Sequence, residues 1–253
     1  MKKGNHFIVI GFVMVLVLCS GMAWSQATGR METDRPDQTE SPFIVRKNWL
    51  QSEFGINFNR QSNGNEWLIP TSLVKFGLLN WLELRYQSSF SKSVNEFGYN
   101  PEALGIKMSI CEEKGIIPKL SVISHFHLGA LKPDPSELNP NAHSVMDMIF
   151  TAQNSLSQTI AIGYNFGVEA HANGKFEWIY RIAPGMNIGK NGYVYGEVFG
   201  RLPLKTDEDI WMDGGYAHYL SEHVKVDFSM GRSIGKSRDY YVATGLSFRI
   251  KTR

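Results

Sequence analysis

Polar and apolar residues alternate along most of the chain after residue 48. In 49–59, Leu50, Phe54, Ile56 and Phe58 share one face, and Gln51, Glu53, Asn57 and Asn59 share the other. The same two-residue period recurs at 81–90, 103–111, 118–129, 159–169, 224–231 and 240–250. In the last of these, Tyr240, Val242, Leu246, Phe248 and Ile250 oppose Ser247 and Arg249. Weaker segments fill the gaps at 66–76, 145–154, 176–186, 193–200 and 210–219, with Pro70 interrupting the first of them. A period of two over about nine to eleven residues is the signature of a strand that crosses a membrane with one face to lipid. The pattern predicts about twelve strands.

The connections alternate in length. Short ones are predicted at 77–80, 112–115, 155–157, 187–192 and 220–223, and mostly longer ones at 60–65, 91–102, 131–144, 171–175, 201–209 and 232–239. Outer-membrane barrels have short periplasmic turns and longer outer loops, and bacterial single-chain barrels have an even strand number. Both chain ends then lie in the periplasm. Lipid offers the backbone no hydrogen bonds, and closure removes the unpaired edges. The expected fold is therefore all-β: a transmembrane antiparallel up-and-down β-barrel over residues 48–253. Its surroundings are outer-membrane lipids, and its insertion calls on the barrel-assembly machinery. Trp49, Trp67, Trp81, Trp178 and Trp211 all fall near predicted strand starts, as in an interfacial aromatic girdle. A soluble β-sandwich shares the alternation, but the leader and the loop asymmetry favour the membrane form.

The N-terminus carries that leader. Lys2 and Lys3, the apolar stretch Phe7 to Leu18, and the border Ala23-Trp24-Ser25 predict a cleaved signal peptide over 1–25. Lipidation at Cys19 is disfavoured by the bulky Leu18 before it. Removal of the leader leaves one cysteine, Cys111, so no intrachain disulfide can form. It also reduces the 26 Lys and Arg by two, to 24 against 24 Asp and Glu. That balance gives no sign of a nucleic-acid partner, which would need a basic patch. The location implied is the outer membrane of a Gram-negative bacterium.

The polar faces supply the candidate chemistry. Glu53, Lys75, Glu83, Arg85, Lys107, Lys119, His125, His127, Asp147, Glu169, Arg181, Glu197, Asp227 and Arg249 are predicted to line the lumen, with Glu177, Asp213 and Lys225 beside them. The near balance of signs argues against a strongly ion-selective tube and for a lumen braced by ion pairs, or for a narrow polar path that screens solutes. Residues 26–47 are irregular and polar. Asp34, Arg35, Asp37 and Glu40 are placed to pair with wall charges, so this segment is either a periplasmic tail or a plug in the lumen. His125 and His127 share a strand face, as two metal ligands would, but no third ligand is close in sequence. A lipid hydrolase would need a Ser activated by a His. Ser124 beside His125, and His143 beside Ser144, offer only the adjacency that chance supplies. A structural or surface-interaction barrel would act through its outer loops, above all 131–144 with Pro133, Pro135 and Pro140. No cofactor is implied.

Several stretches together resemble one family. Thr33-Asp34-Arg35-Pro36-Asp37-Gln38-Thr39-Glu40-Ser41-Pro42 resembles its opening hallmark. Lys75-Phe76-Gly77-Leu78 followed by Leu82-Glu83-Leu84-Arg85 is similar to its next one. Tyr164-Asn165-Phe166-Gly167 and Gly245-Leu246-Ser247-Phe248-Arg249 are similar to two of its later strands. The family carries the label MetA-pathway of phenol degradation and is often called simply "transporter". The resemblance implies an outer-membrane β-barrel for uptake or efflux of small molecules. It does not identify phenol as the solute, because fold does not fix function.

Overall fold

Alternation of side chains puts one face of every strand toward lipid and the other toward the interior, and the backbone closes on itself. The computed structural model describes residues 29–62, 64–92, 97–128, 144–203, 210–235 and 238–252. The predicted signal peptide and most of the 131–144 loop lie outside them. Twelve strands are present among the described residues: β1 Trp49–Gln61, β2 Gly64–Leu79, β3 Leu82–Lys92, β4 Phe97–Cys111, β5 Lys119–His127, β6 Ser144–Ser155, β7 Ile160–His171, β8 Phe176–Ile188, β9 Gly192–Leu202, β10 Ile210–Ser221, β11 Val224–Ser233 and β12 Tyr240–Lys251. Each pairs antiparallel with its sequence neighbours, and β12 closes the barrel on β1. The closing seam runs in register from Trp49↔Lys251 to Arg60↔Tyr240.

The strands are longer at the long-loop end than alternation alone predicts. β1 and β2 meet as a hairpin between Gln61 and Gly64, and β3 and β4 run to Lys92 and from Phe97. Much of the predicted loops 60–65 and 91–102 is therefore strand. Backbone pairing continues past the lipid-facing stretch, where the side chains no longer need to alternate. Pro70 sits where the β1–β2 and β2–β3 registers shift, between Leu68 and Thr71. A proline cannot donate to the ladder and is tolerated at such an irregularity. This explains why segment 66–76 reads poorly as a strand.

The outer belt is apolar. Leu104, Phe166, Ile182, Phe228 and Leu246 all project outward and are about half exposed. The interior reverses the usual rule of burial, since Lys75, Lys107 and Lys225 are among its most buried side chains. Asn48, at φ 63, turns the chain from the preceding segment into β1. Asn is one of the few side chains that accept that left-handed conformation. Just before it the chain passes so close to Gly77 that a Cβ there would lie 1.9 Å from the Arg46 carbonyl oxygen. Placing Leu104→Arg at the middle of β4 should cost about 2–4 kcal/mol of stability. Urea unfolding in lipid vesicles measures it, and a neutral result would mean that this face does not meet lipid.

Candidate functional site

Strand register brings like charges together on the inner wall. Lys75 lies directly across from Arg85. Glu197 lies across from Asp213, and Asp147 across from Glu169. Like charges in such positions are destabilising, and burial raises the cost of each unpartnered one. The segment before β1 meets the first of these pairs and Glu197 of the second.

Asp34 projects into the cationic side. Lys75 Nζ and Arg85 Nη1 each donate to its Oδ2 at 2.9 Å, and Lys107 Nζ donates to its Oδ1 at 3.1 Å. The Ser41 amide adds a fourth donor at 3.0 Å. Burial alone would raise the Asp34 carboxyl, but Lys107, Lys75 and Arg85 hold it well below the usual carboxylate range. Glu53 accepts from the amides of Asp34 and Arg35 at 3.1 and 3.0 Å and bonds Lys75 at 2.5 Å. Arg35 reaches along the inner wall to Asp227 at 3.0 Å. Its guanidinium passes over Gly55 and Gly245, where a Cβ would lie 2.4 Å from it. These two positions accept no larger residue without moving that arginine.

The anionic side is met differently. The Gln38 amide and the Thr39 hydroxyl donate to Glu197 at 2.7 and 2.5 Å. Tyr241 donates its hydroxyl to Asp213. Asp37 lies half-buried nearby, and desolvation followed by Glu197 pushes its carboxyl well above the usual range. Glu40 bonds Arg85 at 2.7 Å and exchanges two backbone bonds with the Asn165 amide. Ser121 donates to the Pro42 carbonyl, Thr151 to the Glu40 carbonyl, and the Val45 amide to Glu83. Arg181 donates to the Gln38 carbonyl at 2.6 Å. Near the short-turn mouth, Arg249 bonds the Gly29 carbonyl and Arg30 lies 3.9 Å over the Tyr219 ring. Through Glu53, Lys75, Arg85, Lys107, Ser121, Thr151, Asn165, Arg181, Glu197, Tyr219, Asp227 and Arg249, every strand touches the segment. The segment therefore runs inside the barrel.

His125, His127, Asp147 and Glu169 form a second cluster away from the segment. Asp147 bridges His125 Nδ1 and His127 Nε2, each at 3.0 Å. Glu169 pairs with Arg201 at 3.1 Å and accepts from Ser144. No group of three or more His, Cys, Asp or Glu able to hold a metal occurs among the described residues. Ser124 bonds the Asp147 carbonyl from the outward side, so it does not meet the inward ring of its neighbour His125. Lys119 pairs with Glu112 at 2.5 Å and lies 5.0 Å over the Phe43 ring.

Alternation did not reveal an aromatic side to the interior. Trp211, which the sequence suggests for a membrane girdle, faces inward, stacks on Phe199 at 6.2 Å and lies tilted against Tyr241 at 6.3 Å. Trp49 also faces inward, under Arg249 at 5.2 Å, whereas Trp67, Trp81 and Trp178 are exposed. A cavity of about 360 Å³ remains among Gln38, Ile179, Arg181, Phe199, Trp211 and Tyr241. One of about 240 Å³ lies beside Pro36 and Asp37, under Asn57 and Gln87.

Opposite pH behaviour is expected of the two acids. Asp34, with a lowered value, stabilises the seated segment above the ordinary carboxylate value near 3.8 and loses that effect only as pH falls through its much lower seated value. Asp37, with a raised value, favours the seated state at low pH and weakens it as pH rises through that raised value. Asp34→Asn should therefore expose 29–47 to protease at neutral pH and cost about 3–5 kcal/mol, because it strands buried cations. Asp37→Asn should leave the segment at least as well protected as in the parent. Limited proteolysis of the folded barrel at neutral pH and at about pH 4 distinguishes these outcomes, and equal cleavage of the two variants would refute the assignment.

Two solved structures share this architecture. The KdgM porin superposes with a TM-score of 0.53 at 8% identity, covering 78% of this chain and 98% of its own. The COG4313 outer membrane channel from Pseudomonas putida F1 superposes with a TM-score of 0.58 at 8% identity, covering 87% of this chain and all of its own. At such identities the likeness establishes the fold. A search of curated proteins found no match. A family model does match residues 33–250, a span that takes in both the inner segment from Thr33 and the barrel, and the chain belongs to that family, described as "Putative MetA-pathway of phenol degradation".

Proposed function

We propose that the protein passes small solutes across the outer membrane and that residues 26–47 act as a plug, seated in the lumen and displaced when the path opens. The observation that carries this reading is the Asp34 carboxylate held between Lys75, Arg85 and Lys107 inside a closed barrel. A tail with no role in the interior would not need buried charges from three adjacent strands. Family membership and the channel folds of the superposed proteins support passage as the purpose of the barrel. The family match beginning at residue 33 supports treating the segment and the barrel as one unit.

In this reading residues 1–25 are a signal peptide removed on export, and residues 48–253 are the transmembrane barrel. The wall charges line the path and screen the solute. The inner cavities of about 360 and 240 Å³ are each large enough for a few water molecules or a small solute group. They give a solute standing room beside the segment. A continuous route needs the segment to shift. Its seat is uneven in a way that favours this. The Asp34 end is tied by opposite charges, while Asp37 lies half-buried near the carboxylate of Glu197.

Planar-bilayer recording on residues 26–253 tests the reading. The full mature chain should give small or intermittent currents, and deletion of 26–42 should raise conductance severalfold while the barrel still inserts. Lys107→Glu in the deleted form should shift selectivity toward cations. Unchanged currents after deletion would contradict the plug, and a correctly inserted deletion form with no current would contradict passage.

A further inference from the structure

Outside the lumen, the outward faces of β9 to β12 and β1 form two adjacent cross-strand rows. One runs Val198, Met212, Arg232, Tyr240, Arg60. The next runs Gly196, Gly214, Met230, Val242, Phe58. Gly196 and Gly214 bring no side chains, so the wall is dented there. A groove of about 1410 Å³ follows these rows, bordered at one end by Arg238 and Asp239. Its sides are apolar, and Met212 and Met230 stand 46% and 57% exposed within it.

The charged end of this groove is unusual for a lipid-facing surface. Arg60 and Arg232 are the two cross-strand neighbours of Tyr240, one on each side. Arg60 lies 6.0 Å from the Tyr240 ring centre, and Arg232 Nε donates to the Ser233 carbonyl at 3.2 Å. Among the described residues, Arg60, Arg232 and Arg238 border the groove together with Asp239, while Glu197 and Asp213 in the same wall face the lumen. Arg60 and Arg232 flank the same residue of one row, so an anion between them would offset their repulsion. They sit at the long-loop end, where the headgroups of the outer leaflet lie in the orientation argued above. Guanidinium groups bind phosphate through paired, charge-assisted hydrogen bonds, and a tyrosine at that level suits the interface.

We infer that Arg60, Arg232 and Arg238 bind the phosphate of an anionic glycolipid of the outer leaflet, with its acyl chains laid along the groove over Met212, Met230 and Val242. The groove supplies the apolar surface for the chains, and the arginines supply the charge that selects the headgroup. This inference rests on the outer-membrane orientation, but it is read without any current, so its failure and that of solute passage are separable.

Native mass spectrometry of the mature chain in detergent tests it. The probes are bisphosphorylated lipid A, its dephosphorylated form, phosphatidylglycerol and inorganic phosphate. Lipid A should bind best, and Arg60→Ala with Arg232→Ala should weaken it roughly ten- to hundredfold. Lys251→Ala, at the opposite rim, should leave it unchanged. Should the double variant fail to insert, Arg232→Gln alone should lower affinity severalfold. Equal binding of the dephosphorylated lipid, preference for phosphatidylglycerol, equal affinity for inorganic phosphate alone, or undiminished retention by the arginine variants would overturn the inference.

Discussion

A barrel wall that satisfies its own backbone still has to satisfy the charges it turns inward. Here register sets Lys75 against Arg85, and Glu197 against Asp213. Neither pair is stable facing only its own kind in a confined interior. One stretch of the chain's own sequence meets three of these four residues. Asp34 enters between the cations, the Gln38 amide and Thr39 hydroxyl serve Glu197, and Tyr241 of the wall serves Asp213. The location of the segment, the glycines at 55 and 245 that give way to Arg35, and the Asn48 turn into β1 all follow from that seating.

Buried ion pairs are weak evidence for stability, because desolvation consumes much of the Coulombic gain. Their effect here is better described as placement. One carboxylate has three cationic partners in a single arrangement, so a shifted segment would take from Lys107 its carboxylate partner and leave Lys75 and Arg85 with the wall acids Glu53 and Glu83. The second cluster solves the same problem without the segment. Asp147 and Glu169 are cross-strand neighbours, yet His125, His127 and Arg201 from the wall itself serve them. The interior therefore divides into a part that depends on the segment and a part that does not.

Much of the fold was legible in the sequence. The two-residue period gave the strands, and the spacing of turn residues gave their connections, because lipid on one side and polar groups on the other impose that period directly. Inward charges such as Glu53, Lys107 and Asp227 were legible for the same reason. Their partners were not, since register couples residues far apart along the chain: Arg35 and Asp227 are 192 positions apart. Inward aromatics were misread for a different reason. Trp211 counts as apolar in an alternating pattern, yet it faces inward, stacked on Phe199 and tilted against Tyr241. Alternation puts neutral residues such as Ser121 and Asn165 on the polar face but does not tell their role, which is to bond the segment's backbone.

The most direct test of the plug is to fasten it. A Cβ at Gly163 would lie 3.2 Å from Thr39 Cγ2, so Thr39→Cys with Gly163→Cys places two thiols near disulfide range. With Cys111→Ser to remove the other thiol, single-channel current would be recorded before and after reduction. The account predicts that the oxidised form cross-links readily and stays closed, and that reductant restores openings. Failure to cross-link in a folded barrel, or identical currents in both states, would contradict the claim that this segment controls passage.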